Sequence, residues 1–164
     1  MSPEVEEGAQ GALTVASPLP GVVLALSEVP DPVFAQALVG DGAAVMPEDD
    51  AGVLTAVAPV DGRVVKVMPH AYIVQHASGP AVLVHVGIDT VHLKGEGFTV
   101  RAAKGDEVRT GDPMVDVDVA FLRGRELSPC CPVVVLDSKQ GTVAVGNPGA
   151  YVLAGQPLFS LPRV

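Results

Sequence analysis

The stretch HAYIVQHASGPAVLVHVGID, residues 70 to 89, decides how the rest of the chain is read. Two runs rich in Val, Ile, Leu and Tyr flank a turn at Ser78 and Gly79, which is the pattern of an antiparallel β-hairpin. With the turn centred between Ala77 and Ser78, paired positions sum to 155 and His70 faces His85. With a loop one register longer, His85 faces Tyr72 instead. In both registers the two imidazoles share one face of the sheet, with Cβ atoms roughly 5 to 8 Å apart.

Outward from this hairpin the pattern repeats as short apolar runs broken by turn signals. These are PLPG from Pro18, GDG at Gly40 to Gly42, PEDD from Pro47, and VDG at Val60 to Gly62. Val dominates the apolar residues, and β-branched side chains suit pleated surfaces better than helices. Gly (18) and Pro (15) are abundant, yet 48% of the residues are hydrophobic, too many for a disordered chain. The expected fold is all-β: an antiparallel sandwich or barrel with Greek-key-like connections. Two places read as very short helices. Asp31 and Pro32 supply an N-cap and a proline at the first helical position before VFAQAL, and Asp118 precedes VAFLRGR.

A 44-residue offset aligns Gly105, Val108, Gly111 and Pro113 with Gly149, Val152, Gly155 and Pro157. Both copies read G-x-x-V-x-x-G-x-P and lead into an apolar strand, as two similar corners of a closed or sandwiched sheet would. With 164 residues the chain is sized for one domain. Residues 1 to 14 read as a flexible acidic tail, and residues 15 to 164 as the folded domain.

The formal charge of −9, without a Lys/Arg cluster, argues against nucleic acid or an anionic membrane as partner. The opening MSPEVEEGAQ lacks a positive stretch followed by an apolar one, and no apolar run reaches the ~20 residues of a spanning helix. A cytoplasmic location without membrane insertion is expected. Cys130 and Cys131 are adjacent, a spacing that forms neither an ordinary disulfide framework nor a C-x-x-C pair, so they read as buried small hydrophobes.

Two imidazoles on one face can flank a single small group. Near neutral pH one ring can be a neutral nucleophile while its neighbour donates a hydrogen bond or carries charge. Phosphoryl transfer asks for that combination, because its catalysis is mostly positioning and electrostatic stabilisation of peripheral oxygens. Asp89, four residues beyond His85, is placed to accept the other ring N–H or to balance charge. No G-x-x-x-x-G-K-[ST] loop is present, so a phosphoryl group must come from another protein.

The segment VLVHVGIDTVHLKGEGF, residues 82 to 98, closely resembles the phosphohistidine segment of glucose-type enzyme IIA proteins of the bacterial sugar phosphotransferase system. The resemblance extends through VPDPVFAQALVGDGAAVMP (Val29 to Pro47), APVDGRVVKV (Ala58 to Val67) and AAKGDEVRTGDPMVDVD (Ala102 to Asp118). It implies that His85 receives a phosphoryl group on Nε2 from the histidine-containing phosphocarrier protein and passes it to the IIB domain of a sugar permease. His70 is implied to hold the phosphate and assist onward transfer, with Asp89 supporting. It also implies regulatory partners for the unphosphorylated form, no required cofactor, and zinc shared by His70 and His85 at a partner interface. Sugar choice would reside in the permease. One departure stands out: relatives often carry a Thr two residues before the first histidine, whereas Val67, Met68 and Pro69 precede His70 in an apparently shortened segment. Val39, Gly40, Asp41 and Gly42 resemble the family loop beside the site.

His76, near the hairpin turn ~20 Å along the strand from His70, and His92, at a variable motif position, read as having no chemical role. Gly95 and Gly97 read as torsional requirements rather than a phosphate cradle. Two other readings compete. A zinc hydrolase would use His70, His85 and Asp89 as ligands with a fourth position open to water. A biotinyl or lipoyl carrier is prompted by APVDG and the repeated hairpins, but it needs a lysine at a hairpin tip, and Lys139 in DSKQGT has the wrong neighbours.

Overall fold

A computed structural model describes residues 12–162. In chain order the strands are β1 (Leu13–Ala16), β2 (Gly21–Ala25), β3 (Gly40–Met46), β4 (Val53–Val57), β5 (Gly62–Met68), β6 (Ala71–Gln75) and β7 (Ala81–His85). They continue with β8 (Phe98–Val100), β9 (Glu107–Val108), β10 (Pro113–Asp118), β11 (Cys131–Leu136), β12 (Ala144–Val145), β13 (Tyr151–Val152) and β14 (Pro157–Leu161). The helices α1 (Pro32–Ala35) and α2 (Val119–Gly124) start where their caps predict. The Asp31 carboxylate accepts from Val33 N at 2.9 Å, and that of Asp118 accepts from Phe121 N at 3.1 Å. Leu26–Glu28 and Thr90–Leu93 are single 3₁₀ turns.

All strand pairings are antiparallel, which bears out the all-β expectation. An eight-stranded curled sheet runs β13-β2-β3-β11-β7-β6-β5-β9, with three-stranded sheets β1-β14-β12 and β4-β10-β8 beside it. The order β3-β11-β7 supplies the Greek-key-like crossing. The main core joins all three sheets. Val82 and Val84 of β7, Tyr72 and Val74 of β6, and Cys131, Val133 and Val135 of β11 point into it, and Tyr72 donates from its hydroxyl to Val57 O at 2.7 Å. The intervening residues of the large sheet face a smaller apolar cluster of Leu26, Val29, Phe34, Ala44, Ile88, Cys130 and Val134. The two cysteines are therefore buried on opposite faces, as small hydrophobes.

The repeat is realised as two corners with matching hydrogen bonds. Gly105 N donates to Val64 O and Gly149 N to Val23 O, both at 2.7 Å; Gly111 N donates to Ala58 O at 3.0 Å and Gly155 N to Ser17 O at 2.8 Å. All four glycines have φ between 88° and 96°, which a side chain would strain. The receiving segments also match each other, Ser17-Pro-Leu-Pro-Gly-Val-Val23 against Ala58-Pro-Val-Asp-Gly-Arg-Val64. Each is an x-P-x-x-G-x-V corner.

Three expectations need correction. β1 begins at Leu13, so Leu13 and Thr14 belong to the fold, while residues 1–11 of the expected tail lie outside the described residues. The GDG at Gly40 to Gly42 is not a turn or a loop beside the site but the start of β3. Glycine is needed there for close approach, since a Cβ on Gly42 would stand 1.9 Å from Val133 O and one on Gly40 2.0 Å from Val135 O. The third correction concerns register: the β6–β7 hairpin pairs Ala71 with His85 and Tyr72 with Val84, midway between the two registers expected.

Candidate functional site

Register fixes where His85 points. Val82 and Val84 face the main core, so His85, at the end of β7, faces the smaller cluster, where the Phe34 ring lies 5.2 Å from its own. Parity alone would send His70 the other way, toward the Tyr72 face, because its backbone is partnered by Val86 rather than His85: Val86 N donates to His70 O at 2.7 Å. The rings nevertheless meet, 5.2 Å between centroids and edge-on at 76°. His70 occupies the turn between β5 and β6, where strand alternation no longer dictates direction. The expected convergence is present, and its cause is the turn rather than a shared strand face.

The loop after β7 locks the His85 ring. Gly87 takes φ +85°, and the Thr90 hydroxyl donates to Val86 O at 2.7 Å, folding VHVGIDT tightly back. This brings Gly87 O to 2.7 Å from His85 Nδ1. A carbonyl only accepts, so Nδ1 carries the proton, and the neutral ring keeps its lone pair on Nε2. The acceptor expected from Asp89 is thus a backbone carbonyl. Asp89 is exposed at φ +60° and acts on His85 through its field alone.

Burial pushes the His85 imidazole below its ordinary pKa, against the opposing pull of the Gly87 carbonyl and the charges of Asp31 and Asp89. Burial, then the neighbouring His85, lowers His70 as well. Both shifts favour the neutral form of the rings. Asp31 and Phe34 went unrecognised as site residues from sequence, where Asp31 reads only as a helix cap; they arrive from the connection between β2 and β3, some fifty residues away in the chain.

The other candidates stay apart from the pair. His76 accepts at Nδ1 from Ser78 N at 3.1 Å in the hairpin loop, and His92 is exposed on its 3₁₀ turn. Gly95 and Gly97 sit at φ +94° and +86°, as torsional requirements, and a Cβ on Gly97 would press to 2.6 Å from the Phe121 ring. Among the described residues no group of three or more His, Cys, Asp or Glu side chains is placed to hold a metal ion, so the hydrolase reading through His70, His85 and Asp89 has no ligand set. Lys139 lies between β11 and β12, which do not pair, so it is not at a hairpin tip.

An imidazole held at Nδ1 by a carbonyl, with a second imidazole at its edge, is an arrangement that can accommodate a small anionic group. The sequence model of the phosphoenolpyruvate-dependent sugar phosphotransferase system, EIIA 1, matches residues 13–141, and the chain belongs to that family. It is 38% identical over 134 residues to the glucose-specific EIIA component of Oceanobacillus iheyensis, covering 80% of this chain and 79% of that protein. It is 45% identical to part of the mannose-specific EIIBCA component of Corynebacterium glutamicum, covering 74% of this chain and 17% of that one. Its fold is similar to glucose permease IIA from Mycoplasma capricolum, with a TM-score of 0.80, 33% identity, and coverage of 91% and 95% of the two chains. Among the described residues no helix is long and apolar enough to cross a membrane.

Proposed function

We propose that this chain carries a phosphoryl group on Nε2 of His85, received from the histidine-containing phosphocarrier protein and delivered to the IIB domain of a sugar permease. The observation that carries the reading is the 2.7 Å contact of Nδ1 with Gly87 O, which leaves the lone pair on Nε2 in a ring whose centroid is 5.2 Å from that of His70. In the uptake step that lone pair attacks phosphorus in line. A new N–P bond forms as the donor's N–P bond breaks, and the departing imidazole keeps the electron pair. His85 retains its Nδ1 proton throughout, so uptake requires no general base and no cofactor. The His70 ring stands edge-on, where an N–H can donate to the peripheral oxygens as charge shifts.

Relatives in which EIIA is continuous with EIIB, such as the N-acetylglucosamine-specific EIICBA component of Klebsiella pneumoniae, support IIB as recipient. Incubation with phosphoenolpyruvate and the general phosphotransferase proteins should give an acid-labile phosphoprotein. His85→Ala abolishes it, while His70→Ala still takes up label but fails to deliver it to IIB. Label on the His85 variant would reject the assignment.

A further inference from the structure

We infer that Pro69 is a positioning residue: it holds the two-residue turn that brings the His70 ring round to His85, in place of any side-chain hydrogen bond. His85 is fixed through its own ring, at Nδ1. Among the described residues no hydrogen bond reaches either ring nitrogen of His70, so its direction must come from the backbone. The Met68–Ala71 pair leaves only Pro69 and His70 in the turn. Two-residue hairpin loops favour primed turns, whose twist matches the strands, and these need positive φ at the first central residue. Proline, with φ near −65°, forbids that. His70 is not among the residues with positive φ, so the turn is held in the unprimed form.

The turn is tied in on both sides. Val86 N holds His70 O at 2.7 Å, tying the turn to the residue after His85. The Pro69 ring lies against Gly95, whose Cβ, were there one, would meet Pro69 Cγ at 3.5 Å. Because His70 lies in the turn itself, the turn type sets where its ring points, and a primed turn would aim it elsewhere.

Pro69→Gly frees the turn to relax, and Pro69→Ala, which still disfavours positive φ, should keep most of the geometry. In the glycine variant the His70 imidazole resonances move, and its titration midpoint rises toward the exposed value as it leaves the burial and the neighbour that depress it. Discharge of the phosphoprotein to IIB slows at least fivefold more than uptake does, with the alanine variant in between. This kinetic arm rests on the proposed carrier function. If the unsubstituted protein takes up no phosphoryl group, that function fails, while the resonances still decide the role of Pro69. Wild-type resonances and discharge in Pro69→Gly would overturn the inference. Should the variant not fold, the unsubstituted protein decides: a mixture of neutral His70 tautomers beside a single Nδ1–H form of His85 is expected, and one hydrogen-bonded His70 tautomer would refute it.

Discussion

Replacing Gly87 with alanine tests whether the loop after β7 is what fixes the His85 ring for its proposed role. The added Cβ would stand 2.4 Å from Thr90 Cγ2 and 3.0 Å from Leu122 Cδ2, in a residue held at φ +85°. Left-handed backbone costs an alanine about 1–2 kcal/mol, and forcing a methyl into a packed site adds about 1–3 kcal/mol. A stability loss of about 2–5 kcal/mol should therefore appear as a lower urea midpoint. As the loop shifts, Gly87 O leaves Nδ1, and imidazole ¹⁵N spectra should show His85 losing its single tautomer while phosphoryl uptake falls about tenfold, in line with the sensitivity of in-line attack to misplacement. Thr90→Ser supplies the control, because it removes Cγ2 but keeps the hydroxyl that donates to Val86 O. In the double variant the packing part of the loss should be recovered and the torsional part retained. An unchanged midpoint and an intact Nδ1–H form in Gly87→Ala would refute the reasoning, as would a serine partner that relieves nothing.

Other expectations follow from the same geometry. Tyr72→Phe leaves the buried Val57 carbonyl without its 2.7 Å donor and should cost about 1–3 kcal/mol in chemical denaturation without changing the site. The Asp41 carboxylate accepts from Gly141 N at 2.9 Å and Val143 N at 3.1 Å, so Asp41→Ala should speed hydrogen exchange at those two amides while phosphoryl uptake persists. Because the imidazoles of His70 and His85 are depressed below 6.5, the unfolded chain binds more protons in acid. Their contribution to stability is complete above pH 6.5 and is lost as pH falls through the lowered folded values. Uptake at His85 should follow suit, staying level across neutral pH and declining only below the ordinary imidazole pKa, in a profile measured with the donor's own titration accounted for.

The hairpin, both helix caps and the histidine pair are legible from residue order because each depends on neighbours within a few positions. Register is not. It turns on how many residues the Ala77–Gly79 loop contains, and on Gly79 taking φ +120°, which composition leaves open. A one-position difference reverses parity, so the shared-face expectation for His70 and His85 reached the right proximity by the wrong route. Gly40 and Gly42 misled for a related reason: glycine marks turns and also close strand contacts, and only the approach of β11 distinguishes them here. The nearness of Phe34 and Asp31 to His85 was hidden because a contact between distant segments leaves no local trace.

Leu13 on β1 pairs with Leu161 on β14, so the described chain enters and leaves the domain side by side, on a small ladder separate from the sheet that bears His85. A pull applied at either end is therefore taken up by the same two strands. The histidines belong to another sheet, so such a load would be borne by a ladder that includes neither β6 nor β7 and would leave the hydrogen bonds that hold the two rings unstretched.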